Sequence, residues 1–160
     1  MDLLKHRREK DINNQKLIQD ILDHDMVQRY KFGSMTEMTI IRELMLDKII
    51  NGKLKTQEDL EKYDTIKETL KEYFYVETLD QLDSGDYIRY LSLDSTTNDF
   101  ELKKGGQFVK VTENFIVMKG LKFNDEKASY WKITDKTPIF CKLNDNDKLI
   151  LVLMEKTISA

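Results

Sequence analysis

Two imidazoles, one thiol and a few runs of side-chain oxygens are the groups here with the means to do chemistry. Asp23-His24-Asp25 places carboxylates on both sides of an imidazole, which raises a histidine's pKa. The segment reads as helix, where adjacent side chains point about 100° apart, so the three do not converge on one ligand. A solvated polar face is expected instead. Cys141 alternates with Ile139 and Leu143, the pattern of a small buried hydrophobe on one strand face. With His6 and His24 it cannot complete a four-ligand zinc site. Asn144-Asp145-Asn146-Asp147 offers alternating oxygens, but lacks the central glycine and terminal glutamate of a calcium loop. It reads as a polar turn between two strands. Gly105-Gly106 sits in no phosphate-binding pattern and precedes a strand, so a hairpin turn or bulge is expected there. No catalytic residue, metal or cofactor follows from these groups, and an enzyme is not expected.

A binding pattern remains. Arg89, Lys103, Lys104, Lys110, Lys119 and Lys132 interleave with Tyr87, Tyr90, Phe108, Phe115, Tyr130 and Trp131. Small barrels hold single strands by stacking bases on aromatics beside basic side chains. Within this set Arg89, Lys104, Lys110, Tyr130 and Trp131 are the candidates for nucleic-acid contact. Strands with aromatics inside and lysines outside produce the same alternation unaided. The charge balance also opposes this reading: 26 Lys+Arg against 29 Asp+Glu give a net charge of −3, with no basic excess in either half.

The elements that must position these residues divide the chain in two. A first helix is predicted over about residues 3–30, with Ile18, Ile21, Leu22 and Met26 as its stripe. Gly33 stops it, and Ser34-Met35-Thr36-Glu37 fits a capping box for the next. That second helix carries Met38, Ile40, Ile41, Leu44, Met45, Leu46, Ile49 and Ile50, apolar nearly all the way round. Such a helix must be covered on several sides, so Met38, Ile41, Met45 and Ile49 are candidate interface residues. Asn51-Gly52 ends it, and Thr56-Gln57-Glu58-Asp59 opens a third helix with acids in its first turn. Tyr73–Val76 reads as a joint.

Beyond the joint, short β-branched and aromatic runs recur between turn residues. They are predicted as strands over Tyr87–Leu93, Phe100–Lys103, Gln107–Val111, Phe115–Lys119, Tyr130–Thr134, Ile139–Leu143 and Leu149–Glu155. The expected class is α+β: about three helices over 1–78, then a small antiparallel β-barrel or sandwich over 79–160. Leu149–Met154 is the longest strong apolar run, far short of the roughly 18 residues a membrane span needs. The first residues lack the apolar region of a secretory signal, and a single cysteine suits a reducing compartment. An intracellular setting, cytoplasm or virion, is the expectation, with no membrane contact.

One order of segments carries a likeness. Gly85-Asp86-Tyr87-Ile88-Arg89-Tyr90 is followed by Gly105-Gly106, by Phe115-Ile116-Val117-Met118-Lys119 and by Tyr130-Trp131-Lys132-Ile133. Over about residues 79–143 this resembles a small β-barrel module in uncharacterised and virion-associated proteins of large eukaryotic DNA viruses. The resemblance implies a capsid, core or other virion component acting through protein contacts, and no catalytic residue travels with it. The leading expectation is therefore a non-enzymatic structural or assembly protein whose partners are other protein subunits, its own copies among them. Leu149–Met154 is the sheet edge expected to pair with a neighbour. A nucleic-acid-binding β-module is the alternative.

Overall fold

Capping side chains fix where the helices begin. In the computed structural model, which describes residues 30–120 and 129–159, helix α1 spans Met35–Ile50. The Ser34 hydroxyl accepts the Glu37 backbone N–H at 3.0 Å, satisfying one of the orphan donors of the first turn. The Glu37 carboxylate accepts from the Gly33 N–H at 3.1 Å, one residue before the donor of the expected reciprocal box. At the other end Gly52 takes φ 86°, left-handed backbone that glycine enters without a Cβ clash. Helix α2, Gln57–Thr69, opens on a complete box in which Thr56 and Asp59 each take the other's N–H. The helix predicted over 3–30 lies, except for Tyr30, outside the described residues.

Six strands form one antiparallel sheet of order β1-β6-β2-β3-β4-β5. They are β1 Tyr73–Tyr75, β2 Tyr87–Leu93, β3 Phe100–Thr112, β4 Phe115–Lys119, β5 Tyr130–Thr134 and β6 Ile139–Lys142. The expected joint at Tyr73 is thus the edge strand β1. The two strands predicted over Phe100–Lys103 and Gln107–Val111 are one, because Gly105-Gly106 bulges rather than turns. Ile88 pairs with Gly106 while Tyr90 pairs with Lys103, leaving Lys104 and Gly105 opposite Arg89 alone. A Cβ on Gly105 would stand 1.8 Å from the Ile88 carbonyl oxygen, so only glycine fits this approach.

The sheet is not closed, which corrects the expected barrel or sandwich. β1 and β5 are its two edges, and the segment expected as a seventh strand is helix α3, Asp145–Ser159. The helices are therefore not all N-terminal. Asn144-Asp145-Asn146-Asp147 is a helix start and not a strand-to-strand turn: the Asn144 side-chain oxygen accepts the Asp147 N–H at 2.8 Å. A six-residue apolar run fits a strand and a buried helix equally well. Here the helical period wins, with Leu151 and Met154 buried and Leu149 and Leu153 exposed. The sheet edge expected at Leu149–Met154 does not exist.

The described chain forms two compact units. In the smaller, residues up to Met38 with those from Asn144 on, Tyr30 stacks on Phe32 and its hydroxyl donates to the Asp147 carboxylate. The Thr36 N–H donates to the Glu155 carboxylate. In the larger, Thr39–Leu143, Leu46 and Ile50 of α1 and Tyr63, Ile66 and Leu70 pack with Tyr73, Leu91, Phe100 and Phe140 of the sheet. The opposite sheet face is also buried, with Phe74, Cys141 and Ile88 aligned across three strands.

One charge stands in this interior. Arg42 of α1 is 2% exposed, and one terminal nitrogen donates to the carbonyls of Lys71 at 2.9 Å and Tyr73 at 3.1 Å. The other lies 3.6 Å from the Glu43 carboxylate. Burial lowers the guanidinium's pKa, and Glu43 opposes that shift. Nearby, the buried Tyr63 hydroxyl donates to the Asp47 carboxylate. Burial first, then Asp47, push this phenol above the ordinary tyrosine range.

Arg42→Ala takes the donor from the Lys71 carbonyl and from the buried Tyr73 carbonyl and is expected to destabilise the fold by about 3–5 kcal/mol, read from the urea midpoint. For Tyr63 the folded pKa is raised, so its contribution is complete below the unfolded value of about 10 and is lost as pH rises past it. Tyr63→Phe is expected to cost about 1 kcal/mol at neutral pH and to flatten the alkaline loss of near-UV circular dichroism. An unchanged alkaline limb would contradict this assignment.

Candidate functional site

Strands β3, β4 and β5 build a face that the sequence pattern only half disclosed. Directly paired residues share a face, and the register gives three rows: Gln107–Lys119–Tyr130, Lys110–Val117–Lys132 and Thr112–Phe115–Thr134. A second bulge makes this set possible. Phe108 pairs with Met118 and Lys110 with Val117, so Val109 is the extra residue and Gln107 and Lys110 fall on the same side.

The other side of these strands is apolar. Its rows are Phe108–Met118–Trp131 and Val111–Ile116–Ile133, with Ile116 and Met118 fully buried. Trp131 is turned to this side, its ring 3.0 Å from where a Gly106 Cβ would stand. The tryptophan therefore fills the inner face and does not stand on the outer one.

The outer face is basic and aromatic. Its three rows contain Lys110, Lys119 and Lys132, Phe115 and Tyr130, and no acidic residue. Tyr130 is 61% exposed, and Lys132 lies 4.6 Å from the centroid of the Phe115 ring, a cation–π contact. Among the described residues none of the three lysines has a carboxylate partner. From the register, Phe115 and Tyr130 stand about 14 Å apart.

Of the five residues proposed for nucleic-acid contact, the fold brings Lys110 and Tyr130 to this face. Lys104 is exposed in the first bulge. Arg89 lies on the sheet face that packs on the helices, its Nε donating to the Tyr73 hydroxyl at 3.2 Å. The second candidate surface is α1. Met38 is buried and Ile41, Met45 and Ile49 are half-buried, Ile49 against the core cluster. The residues that stand out are Ile40 at 52% and Leu44 at 63% exposure, one turn apart.

The Asp23-His24-Asp25 group and His6 lie outside the described residues. Among the described residues no cluster of histidine, cysteine and carboxylate side chains is placed to hold a metal ion, and no helix is long and apolar enough to cross a membrane. No protein family, curated protein or solved structure matches the chain, so its reading rests on its own geometry.

Proposed function

We propose that the chain is a non-enzymatic binding protein that holds single-stranded nucleic acid on the outer face of β3, β4 and β5. The observation that carries this reading is the acid-free set of rows in which Lys110, Lys119 and Lys132 flank Phe115 and Tyr130. A single strand asks for positive charge along its backbone and aromatic faces for its bases. A duplex asks for an element that enters a groove, and this face offers a surface with no projecting helix. The net charge of −3 does not oppose a local site, because the three rows of this face carry no acidic residue.

Labelled oligothymidylate followed by fluorescence anisotropy tests it. Three phosphate contacts give an affinity that falls with salt at a log–log slope of about −2. In Lys110→Ala/Lys132→Ala the slope is expected to shrink to about −0.7. Tyr130→Ala is expected to cost about 1–3 kcal/mol of binding with the slope unchanged. A slope that the double variant leaves unaltered, or no binding at low salt, removes this reading.

A second reading, assembly through protein contacts, is favoured by the exposure of Ile40 and Leu44 on α1. Two large apolar side chains one turn apart form a ridge suited to another subunit, a copy of this chain included. The virion role implied by the Gly85–Tyr90 and Gly105-Gly106 segments belongs to this reading. Leu44→Asp is then expected to lower the mass by light scattering to that of the monomer while far-UV circular dichroism is retained. A wild-type chain that stays monomeric as its concentration rises speaks against it.

A further inference from the structure

An open cleft of about 320 Å³ lies between α2 and strands β2 and β3, with Ile66, Thr65 and Thr69 on one side and Arg89 and Leu102 on the other. Arg89 is held in place there. Its register with Phe140 puts it on the helix-facing side of β2, opposite the Lys104-Gly105 bulge. Its Nε donates to the Tyr73 hydroxyl at 3.2 Å, and its guanidinium carbon lies 5.8 Å from that ring's centroid. Tyr73 is 7% exposed, so the base of this arrangement is packed. Among the described residues the two terminal nitrogens of Arg89 have no carboxylate partner.

The other polar groups around the cleft are already engaged. Lys62 bonds the Asp99 carboxylate at 3.0 Å and lies 4.7 Å from the Phe100 ring centroid. The Thr65 and Thr69 hydroxyls donate to the carbonyls of Glu61 and Thr65 at 3.0 and 2.9 Å. Glu101 also borders the cleft, but the register of Leu91 with Leu102 directs its side chain to the opposite sheet face. There Lys103 takes its carboxylate at 2.9 Å. What remains is one fixed guanidinium fork beside the apolar side chains of Ile66 and Leu102.

We infer that this cleft binds a small monocarboxylic acid with an apolar tail, its carboxylate on the Arg89 fork and its tail against Ile66 and Leu102. A planar two-oxygen anion matches two parallel N–H donors, and a single negative charge balances the single uncommitted positive one. At about 30 Å³ per non-hydrogen atom the volume takes roughly ten such atoms, which fits a short aliphatic or single-ring acid. The inference is independent of the nucleic-acid reading, since the two sites share no residue.

Titration of the full chain with hexanoate, followed by the Arg89 Nε–Hε resonance and the Ile66 and Leu102 amides, tests it. The expected result is a saturable shift of all three with a Kd on the order of 1 mM, absent with hexanol. Arg89→Met is expected to weaken the shifts of Ile66 and Leu102 by roughly tenfold or more. Lys110→Ala/Lys132→Ala leaves them as in the wild type. The hexanol comparison needs no variant and stands even where Arg89→Met fails to fold. Equal shifts with hexanol, equal shifts with acetate, no saturation, or loss of the shifts in the lysine variant would each overturn the inference.

Discussion

A guanidinium buried where α2 gives way to β1 holds the larger unit together. Arg42 donates to the carbonyls of Lys71 and Tyr73. Desolvating a lone cation is costly, and these two bonds with Glu43 at 3.6 Å offset that cost locally. The consequence passes along Tyr73. Its backbone is fixed by Arg42 and by pairing with Lys142, its ring packs edge-on to Tyr87, and its hydroxyl accepts from Arg89. A packing residue of the core thereby sets the position of the one free fork in the α2 cleft.

The second constraint is the length of β3. Thirteen residues in a twisted sheet do not keep one register against both neighbours, and the two bulges absorb the mismatch. The first half, Phe100 and Leu102, belongs to the layer under the helices. The second half pairs with β4 and contributes Lys110 to the outer face. Bulges are also where a side chain is re-aimed, and the two here lie beside Arg89 and Lys110. Gly105, which admits the Ile88 carbonyl at a distance no Cβ tolerates, thus serves a surface as well as a backbone contact.

Much of this was legible in the sequence where local chemistry decides structure. Ser34, Thr56 and Gly52 mark the helix ends they were expected to mark, and β2, β4 and β5 have the expected bounds. Leu149–Met154 was not legible as helix, because its apolar run has no period of its own and Asn144–Asp147 serves equally as turn or cap. Gly105-Gly106 did not reveal that the strand continues through it, since what requires glycine there is a carbonyl on another strand. At the candidate site, alternation grouped Lys110 with both Tyr130 and Trp131 as contact residues, although the register puts Trp131 on the other face. It did not say which face is covered, and that depends on partners distant in sequence. Arg42 carried one visible signal, a basic residue amid the apolar positions in the middle of α1, which acquires meaning only when the Lys71 and Tyr73 carbonyls are placed beside it.

Net charge hides how the charges are sorted. Helix α2 alone carries Glu58, Asp59, Glu61, Asp64 and Glu68, whereas the outer rows of β3, β4 and β5 carry none. Lys110 and Lys132 flank Val117 in one row, about 10 Å apart at ordinary strand spacing. That separation is close to the Debye length at physiological salt, so their mutual repulsion is only partly screened. An anionic chain laid along the row relieves this repulsion as well as adding its own contacts. A chain of net negative charge can in this way keep a local cationic face, with affinity set by the few charges within a screening length and not by the total.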